Sequence, residues 1–323
     1  MKLKPAHWIL LLPVLAFSFF VHYPASPYPT AKITVLVLGD DGRPISGARV
    51  TIVFASSGHH NDLPIHGYTG SDGQYTDEGP CDRDISARVE KEGFYATSTK
   101  SFGFTGVAWH RWQPWNPTLT ATLDKIGIPR PLYVRHLRTE LPQTDQAVGF
   151  DLIVGDWVSP FGAGQATDIS FTLTRSYTNS FDYDCHLKLD FGDSSNGFVP
   201  WYDDMRHGYR ELKMPRMAPD SGYTSVTEFR NMREPGGPIR PGTVTNRNYY
   251  FRIRGRTDTD GKLVGAHYGK IVGDIHFSPS QSATAGLSFI YYVSPTPMDT
   301  NLEFDVHHTL VPRNQRDSEE FRP

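Results

Sequence analysis

Apolar and polar residues alternate with a period of two along most of this chain from Ile33 onward. Ile33, Val35 and Val37 share one side of a predicted strand, with Thr34, Leu36 and Leu38 on the other. Gly39-Asp40-Asp41-Gly42 then supplies a turn. Ala48, Val50, Ile52 and Phe54 line one face of the next strand, and Arg49 and Thr51 its other face. Ser71-Asp72-Gly73 opens a further strand, and Ile85, Ala87 and Val89 form a third alternating set. Leu119–Leu123 reads as the last strand of this region. After Tyr133 the same period returns in Ile169/Phe171/Leu173, Phe251/Ile253, Ile275/Phe277 and Leu287/Phe289/Tyr291/Val293. No window there keeps apolar residues at helical spacing. The pattern predicts an all-β protein.

Composition agrees with many short strands and tight turns, since 29 glycines and 25 prolines occur among 323 residues. The chain is long enough for two cores. A net charge of −3 offers no basic footprint, which argues against a nucleic-acid partner.

The first 25 residues stand apart. Lys2 and Lys4 precede an apolar run, Ile9–Val21, that reaches about 20 Å as a helix against a hydrocarbon core of about 30 Å. Pro24, Pro27 and Pro29 then stop any helix. This is the layout of a secretory signal, and export is expected. Ala25 suits cleavage while Tyr23 does not, so two outcomes stand: a cleaved signal, or an N-terminal membrane anchor.

Three ordered motifs narrow the fold. They are Val37-Leu38-Gly39-Asp40-Asp41-Gly42-Arg43-Pro44-Ile45-Ser46-Gly47-Ala48-Arg49-Val50, then Thr69-Gly70-Ser71-Asp72-Gly73-Gln74-Tyr75, then Val89-Glu90-Lys91-Glu92-Gly93-Phe94-Tyr95. Together they resemble carboxypeptidase regulatory-like domains over about residues 32–100. The resemblance implies an Ig-like, transthyretin-like β-sandwich of the kind that usually accompanies activity without supplying it. Gly42 and Gly73 each follow Asp in turns that need positive φ. An insertion from Ser56 to Gly67 departs from the family pattern. Asn248-Tyr249-Tyr250-Phe251-Arg252-Ile253-Arg254, His267-Tyr268-Gly269-Lys270-Ile271 and Pro295-Thr296-Pro297-Met298-Asp299-Thr300-Asn301-Leu302-Glu303-Phe304-Asp305 resemble segments of exported bacterial proteins that carry the same module, a resemblance that implies architecture and no activity. The expected organisation is a signal or anchor at 1–25, a β-sandwich at 32–124 including a tryptophan-rich connector, and a second antiparallel β-sandwich or jelly-roll-like domain at 133–312. A charged, flexible tail at 313–323 completes it.

Candidate chemistry is sparse. His59, His60 and His66 on the insertion have metal-capable side chains, though clustered surface histidines are commonly just solvated. Cys81 and Cys185 are either buried thiols or a disulfide closing a loop of about 100 residues, worth roughly 4–5 kcal/mol in a chain-entropy picture. Asp190, Asp193, Asn196 and Gly197 have the composition of a calcium loop without EF-hand spacing. Asp182, Asp184, Asp203, Asp204 and His207 could pair carboxylates for glycoside hydrolysis only if the fold set the required separation. No nucleophile elbow, His-Glu-x-x-His, P-loop or dinucleotide fingerprint is present.

The aromatic residues are the strongest positive feature. Trp109, Trp112 and Trp115 at spacing three, and Trp201-Tyr202, would either fill the joint between domains or offer rings to a ligand. The reading that follows is a non-enzymatic, exported or envelope-associated protein with a structural or accessory binding role and no cofactor. Its partner would be a cell-envelope glycan or protein. The alternatives are a carbohydrate binder using the tryptophan clusters, and a polysaccharide hydrolase with carboxylates in the second domain.

Overall fold

A computed structural model describes residues 28–52, 54, 65–205, 207–279, 284–308, 310 and 321–323. The N-terminal segment expected to direct export, and His59 and His60, lie outside these residues. Among the described residues every regular element is a strand.

The first module contains β1 (Thr30–Gly39), β2 (Arg49–Ile52), β3 (Ile65–Tyr68), β4 (Gln74–Pro80), β5 (Asp84–Ile85) and β6 (Ala87–Glu90). It continues through β7 (Thr97–Thr99), β8 (Phe102–Gly103), β9 (Gly106–Ala108), β10 (Arg111–Gln113) and β11 (Thr118–Leu123). In one sheet β1 lies between antiparallel β4 and parallel β11, and its first residue also meets β10, which pairs with β9. The opposing sheet runs β3-β2-β6-β7. Alternation places Ala31, Ile33, Val35 and Val37 in one buried cluster with Val50, Ile52, Ala87 and Val89. The Asp-Gly turns take the conformation that their sequence requires, with φ of 76° at Gly42 and 74° at Gly73. At Gly73 a Cβ would stand 2.7 Å from the Val37 carbonyl, so the turn tolerates no side chain there.

The second module is a sandwich of two five-stranded sheets. Its strands are β12 (Tyr133–Glu140), β13 (Val148–Asp151), β14 (Asp156–Trp157), β15 (Ile169–Asn179), β16 (Asp182–Asp190) and β17 (Gly197–Tyr202). They continue with β19 (Val226–Arg233), β20 (Arg247–Thr257), β21 (Leu263–Pro279) and β22 (Ala285–Val293), while β18 (His207–Arg210) lies between β17 and β19 in the chain and pairs outside both sheets. One sheet has the order β12-β22-β21-β20-β17 and the other β14-β13-β15-β16-β19, all antiparallel. The inner faces close on an aromatic-rich core that includes Phe150, Phe171, Phe198, Phe251, Phe289 and Tyr291.

Phe102, Phe104, Trp112, Leu119, Ala121 and Leu123 all pack into the first core, so the tryptophan-rich stretch is part of that module. The chain end departs from the flexible tail expected at 313–323 at one residue. Phe321 is buried against Leu132, Val134, Tyr292 and Phe304, because one aromatic residue ends an otherwise charged run.

The modules are joined by a strand and a carboxylate. β18 leaves the second module and adds to the edge of β7, with His207 opposite Thr99 and Arg210 opposite Thr97. Arg210 also pairs with Asp124 at 2.6 Å. Glu303, with no exposed surface, receives the Tyr95 hydroxyl at 2.7 Å, the Gly127 N–H at 2.7 Å and the Ile128 N–H at 3.1 Å. Arg216 lies 3.3 Å from the same carboxylate. The Glu303 carbonyl accepts from Arg130 N–H at 2.6 Å, and Asn301 donates to the Ile128 carbonyl at 2.9 Å. The inter-module segment is therefore held along most of its length.

Behind this joint, on the outer face of its sheet, β21 carries Lys270 between Tyr250 and Tyr292. The ammonium is fully buried without a hydrogen-bond partner, 5.0 Å from the Tyr292 ring centre. Burial pushes its pKa down to about 7, with Glu303 pulling the other way.

Two outcomes follow. Glu303→Ala would leave the Tyr95 hydroxyl and the Gly127 and Ile128 N–H groups without their acceptor and remove the carboxylate beside Arg216, and should cost about 3–5 kcal/mol, read from denaturant unfolding. Above pH 7 folded Lys270 is neutral, while the unfolded side chain stays charged to about pH 10.4, so the unfolded chain binds the extra proton. Stability should rise with pH across that window, and Lys270→Met should flatten the rise and stabilise the chain at neutral pH.

Candidate functional site

The outer face of the β3-β2-β6-β7 sheet is polar because the alternation that buries Val50, Ile52, Ala87 and Val89 sends their neighbours outward. Register then builds two rows across the strands. Tyr68, Arg49 and Glu90 face each other in one, and His66, Thr51, Arg88 and Ser98 in the next. β18 extends this sheet from the second module. The Tyr209 N–H donates to Ser98 Oγ at 2.6 Å, and Thr97 Oγ1 donates to the Tyr209 carbonyl at 3.1 Å. Glu211 Oε2 caps the Ala96 N–H at 2.8 Å.

These residues border an open groove of about 470 Å3 between β2, β6 and the joint. Its lining holds Arg49, Arg88 and Lys91 against Glu90, Glu92 and Glu211, with Tyr68 and Phe94 as aromatic walls. Arg88 donates to Glu90 at 2.8 Å, and Arg49 lies 3.9 Å from the same carboxylate. Arg88 and Lys213 also approach the Tyr209 ring, at 5.7 and 4.6 Å from its centre. Burial pushes Lys213 down, helped by Arg322 and opposed by Asp203. The Tyr68 ring is 69% exposed, and about half of each arginine side chain meets water. Exposed ion pairs of this kind are worth about 0–1 kcal/mol, so a ligand can displace them at small cost. The groove thus presents forked donors, carboxylate acceptors and an aromatic face.

The aromatic residues singled out from sequence do not form one platform, nor do they fill the inter-module joint. Trp112 stacks on Phe104 with centroids 5.6 Å apart and donates to the Cys81 carbonyl at 2.7 Å. Trp115 is half-buried beneath Arg111, whose guanidinium is 4.8 Å from its ring centre. Trp109 occupies a two-residue hairpin turn with φ of 52°, followed by His110 at 60°, and is 96% exposed. Trp201 packs against the cluster of Tyr250, Tyr268 and Leu302, while Tyr202, next on β17, is exposed.

The other candidates are placed as follows. Cys81 and Cys185 are free and buried, each in a different core, so the considered disulfide is not formed. Burial pushes the Cys81 thiol up to about 12, with Asp82 and Asp84 adding to it, and burial raises Cys185 as well. His66 is exposed on β3. Among the described residues no three His, Cys, Asp or Glu side chains gather as a metal site. In the calcium-like turn the carboxylates serve the backbone, Asp190 accepting from Gly192 N–H at 2.8 Å and Asp193 from Ser195 N–H at 2.6 Å. Asp184 is gripped by Arg230 through bonds of 2.8 and 2.7 Å, which hold its pKa below the usual carboxylate value. Asp203 lies beyond β17 in the opposite sheet and accepts from Met205 N–H at 3.1 Å.

Sequence reasoning missed a cluster in which the exposed Arg254 joins the buried Asp168 at 2.8 Å and the buried Asp151 at 2.9 Å. Burial would raise Asp151, but N–H donors from Val154, Gln165 and Ala166, with Arg254, hold it low; in Asp168 burial prevails and the pKa rises. Every one of these contacts pins the loop 152–168, a structural task. The groove residues were also missed as a site. Their signal was the polar half of each alternating strand.

The sequence matches no family model and no curated protein. Similar solved structures include a Bacteroides uniformis protein named a "putative carbohydrate binding protein", 13% identical over 82% of this chain and 98% of that one, with a TM-score of 0.20. The shaft pilin SpaA of Lactobacillus rhamnosus GG is 12% identical, covering 74% of this chain and 92% of the pilin, with a TM-score of 0.21. BcpA, the major pilin subunit of Bacillus cereus, is 8% identical over 88% and 98% of the two chains, with a TM-score of 0.23. Likeness at this level assigns this chain no ligand and no assembly.

Both thiols should resist thiol reagents in the folded protein and react fully after unfolding. A single thiol that reacts rapidly in the native state would contradict their burial. Trp112→Ala should lower the unfolding midpoint because it removes a ring from the first core, and Trp109→Ala should leave it unchanged; thermal unfolding separates the two.

Proposed function

We propose that this chain is an exported, non-catalytic binding protein of the cell envelope, and that the groove on its first module takes a neutral glycan. The first module is proposed to be a carboxypeptidase regulatory-like sandwich, on the three turn motifs alone. What supports the glycan reading is the groove's make-up: three cations balance three carboxylates around an exposed tyrosine ring. Sugars present paired hydroxyls that such forked donors and acceptors can engage, and a C–H face that suits an aromatic ring. Net neutrality of the lining disfavours strongly charged ligands. The second module contributes by presenting β18 and Glu211 at the groove's edge.

Binding of the full chain to an array of envelope glycans tests this. Tyr68→Ala and Arg88→Ala should each weaken binding by about 10-fold, as loss of a charge-assisted hydrogen bond or stacked ring does, with unaltered melting. Unchanged affinity in both variants would remove the groove from the function. Loss of binding in Trp109→Ala alone would transfer it to the tryptophan hairpin.

A further inference from the structure

The hairpin of β9 and β10 carries the most exposed large apolar side chain among the described residues, Trp109 at 96%, with Val107 beside it at 50%. This exposure is built in. A two-residue turn with positive φ at Trp109 and His110 fixes the tip. Thr105 N–H donates to the Gln113 carbonyl at 2.9 Å, and Phe104 and Trp112 anchor the base in the first core. The ring therefore stands out from a rigid support.

The position of the hairpin in the chain indicates what it meets. The Thr30 N–H, at the start of the first strand, donates to the His110 carbonyl at 3.0 Å, and the Cys81 N–H donates to the Pro29 carbonyl at 3.1 Å. The polypeptide thus enters the first module alongside this tip. The apolar run ends at Val21, so eight residues separate it from Thr30 and the stretch spans at most about 30 Å when extended. One cation follows the turn, Arg111, which covers Trp115 at 4.8 Å, while Lys32, 6.0 Å from that same ring, is paired with Glu78 at 3.3 Å. An exposed tryptophan beside a cation suits the boundary between headgroups and acyl chains.

We infer that the Trp109 hairpin inserts its tip into the surface of the membrane that holds the N-terminal segment, so that the first module is seated on the bilayer by two points. The inference rests on retention of that segment as an anchor, within the proposal that the protein is exported.

The test uses the full chain reconstituted in phosphatidylcholine vesicles containing phosphatidylglycerol. Because Cys81 and Cys185 are buried, the W109C chain offers one reactive thiol for an environment-sensitive fluorophore, and Val264→Cys places the same probe on the second module. The chain should float with the vesicles. Lipids spin-labelled at the headgroup and upper acyl chain should then quench most of the emission from position 109 and little from position 264. Flotation without quenching at 109 would overturn the hairpin contact and leave the anchor standing. Failure to float would overturn the anchor and the inference together. A concentration-dependent change at 109 that spin-labelled lipid does not affect would identify a second copy of the chain as the occupant instead, and would also overturn it.

Discussion

A carboxylate withdrawn from water must be met by donors, and the arrangement of this protein depends on how that demand is satisfied at Glu303. Its donors come from the first module through Tyr95 and from the inter-module segment through Gly127 and Ile128, and the second module adds the Arg216 cation at 3.3 Å. The same contact explains why the segment between the sandwiches behaves as part of the fold. With β18 added to the edge of β7, the two modules share both a sheet and a buried charge. An edge strand is otherwise an open template for unwanted pairing, and here the chain covers it with its own backbone.

That joint decides which surfaces remain free. The outer face of the β12-β22-β21-β20-β17 sheet is covered by returning chain, with Met214, Leu302, Phe304 and Phe321 sealing it. Lys270 is trapped beneath this cover, and its lowered pKa records the low polarity there. The outer face of the first module's second sheet stays open instead and carries the paired rows of charged and aromatic residues. The groove therefore owes its chemistry to strand alternation and its closed end to the neighbouring module.

Aromatic residues illustrate how one residue type serves opposite ends. Trp112 has a stacking partner and a carbonyl for its indole N–H, so it belongs to the core. Three residues earlier, Trp109 sits at a turn whose positive φ directs the chain away from that core. Trp115 is intermediate, with one face covered by a guanidinium. Equal spacing in sequence gave them no common direction, because a hairpin reverses the chain between the first ring and the others.

Much of the fold was legible in the residues alone. Period-two alternation set the strand faces, and the Asp-Gly turns at Gly42 and Gly73 formed with the φ values their sequence demands, since both signals act within a few residues. After Tyr133 the lack of helical periodicity pointed away from helices for the same reason, and among the described residues every regular element is a strand. The sequence also specified the polar rows of the groove, residue by residue, without revealing that Tyr68, Arg49 and Glu90 would stand side by side. Register, the separation of Cys81 from Cys185 into two cores, the burial of Glu303 and the addition of β18 to a foreign edge belong to the tertiary structure. Each depends on which distant segments meet, and contact between segments a hundred or more residues apart leaves no local pattern to read.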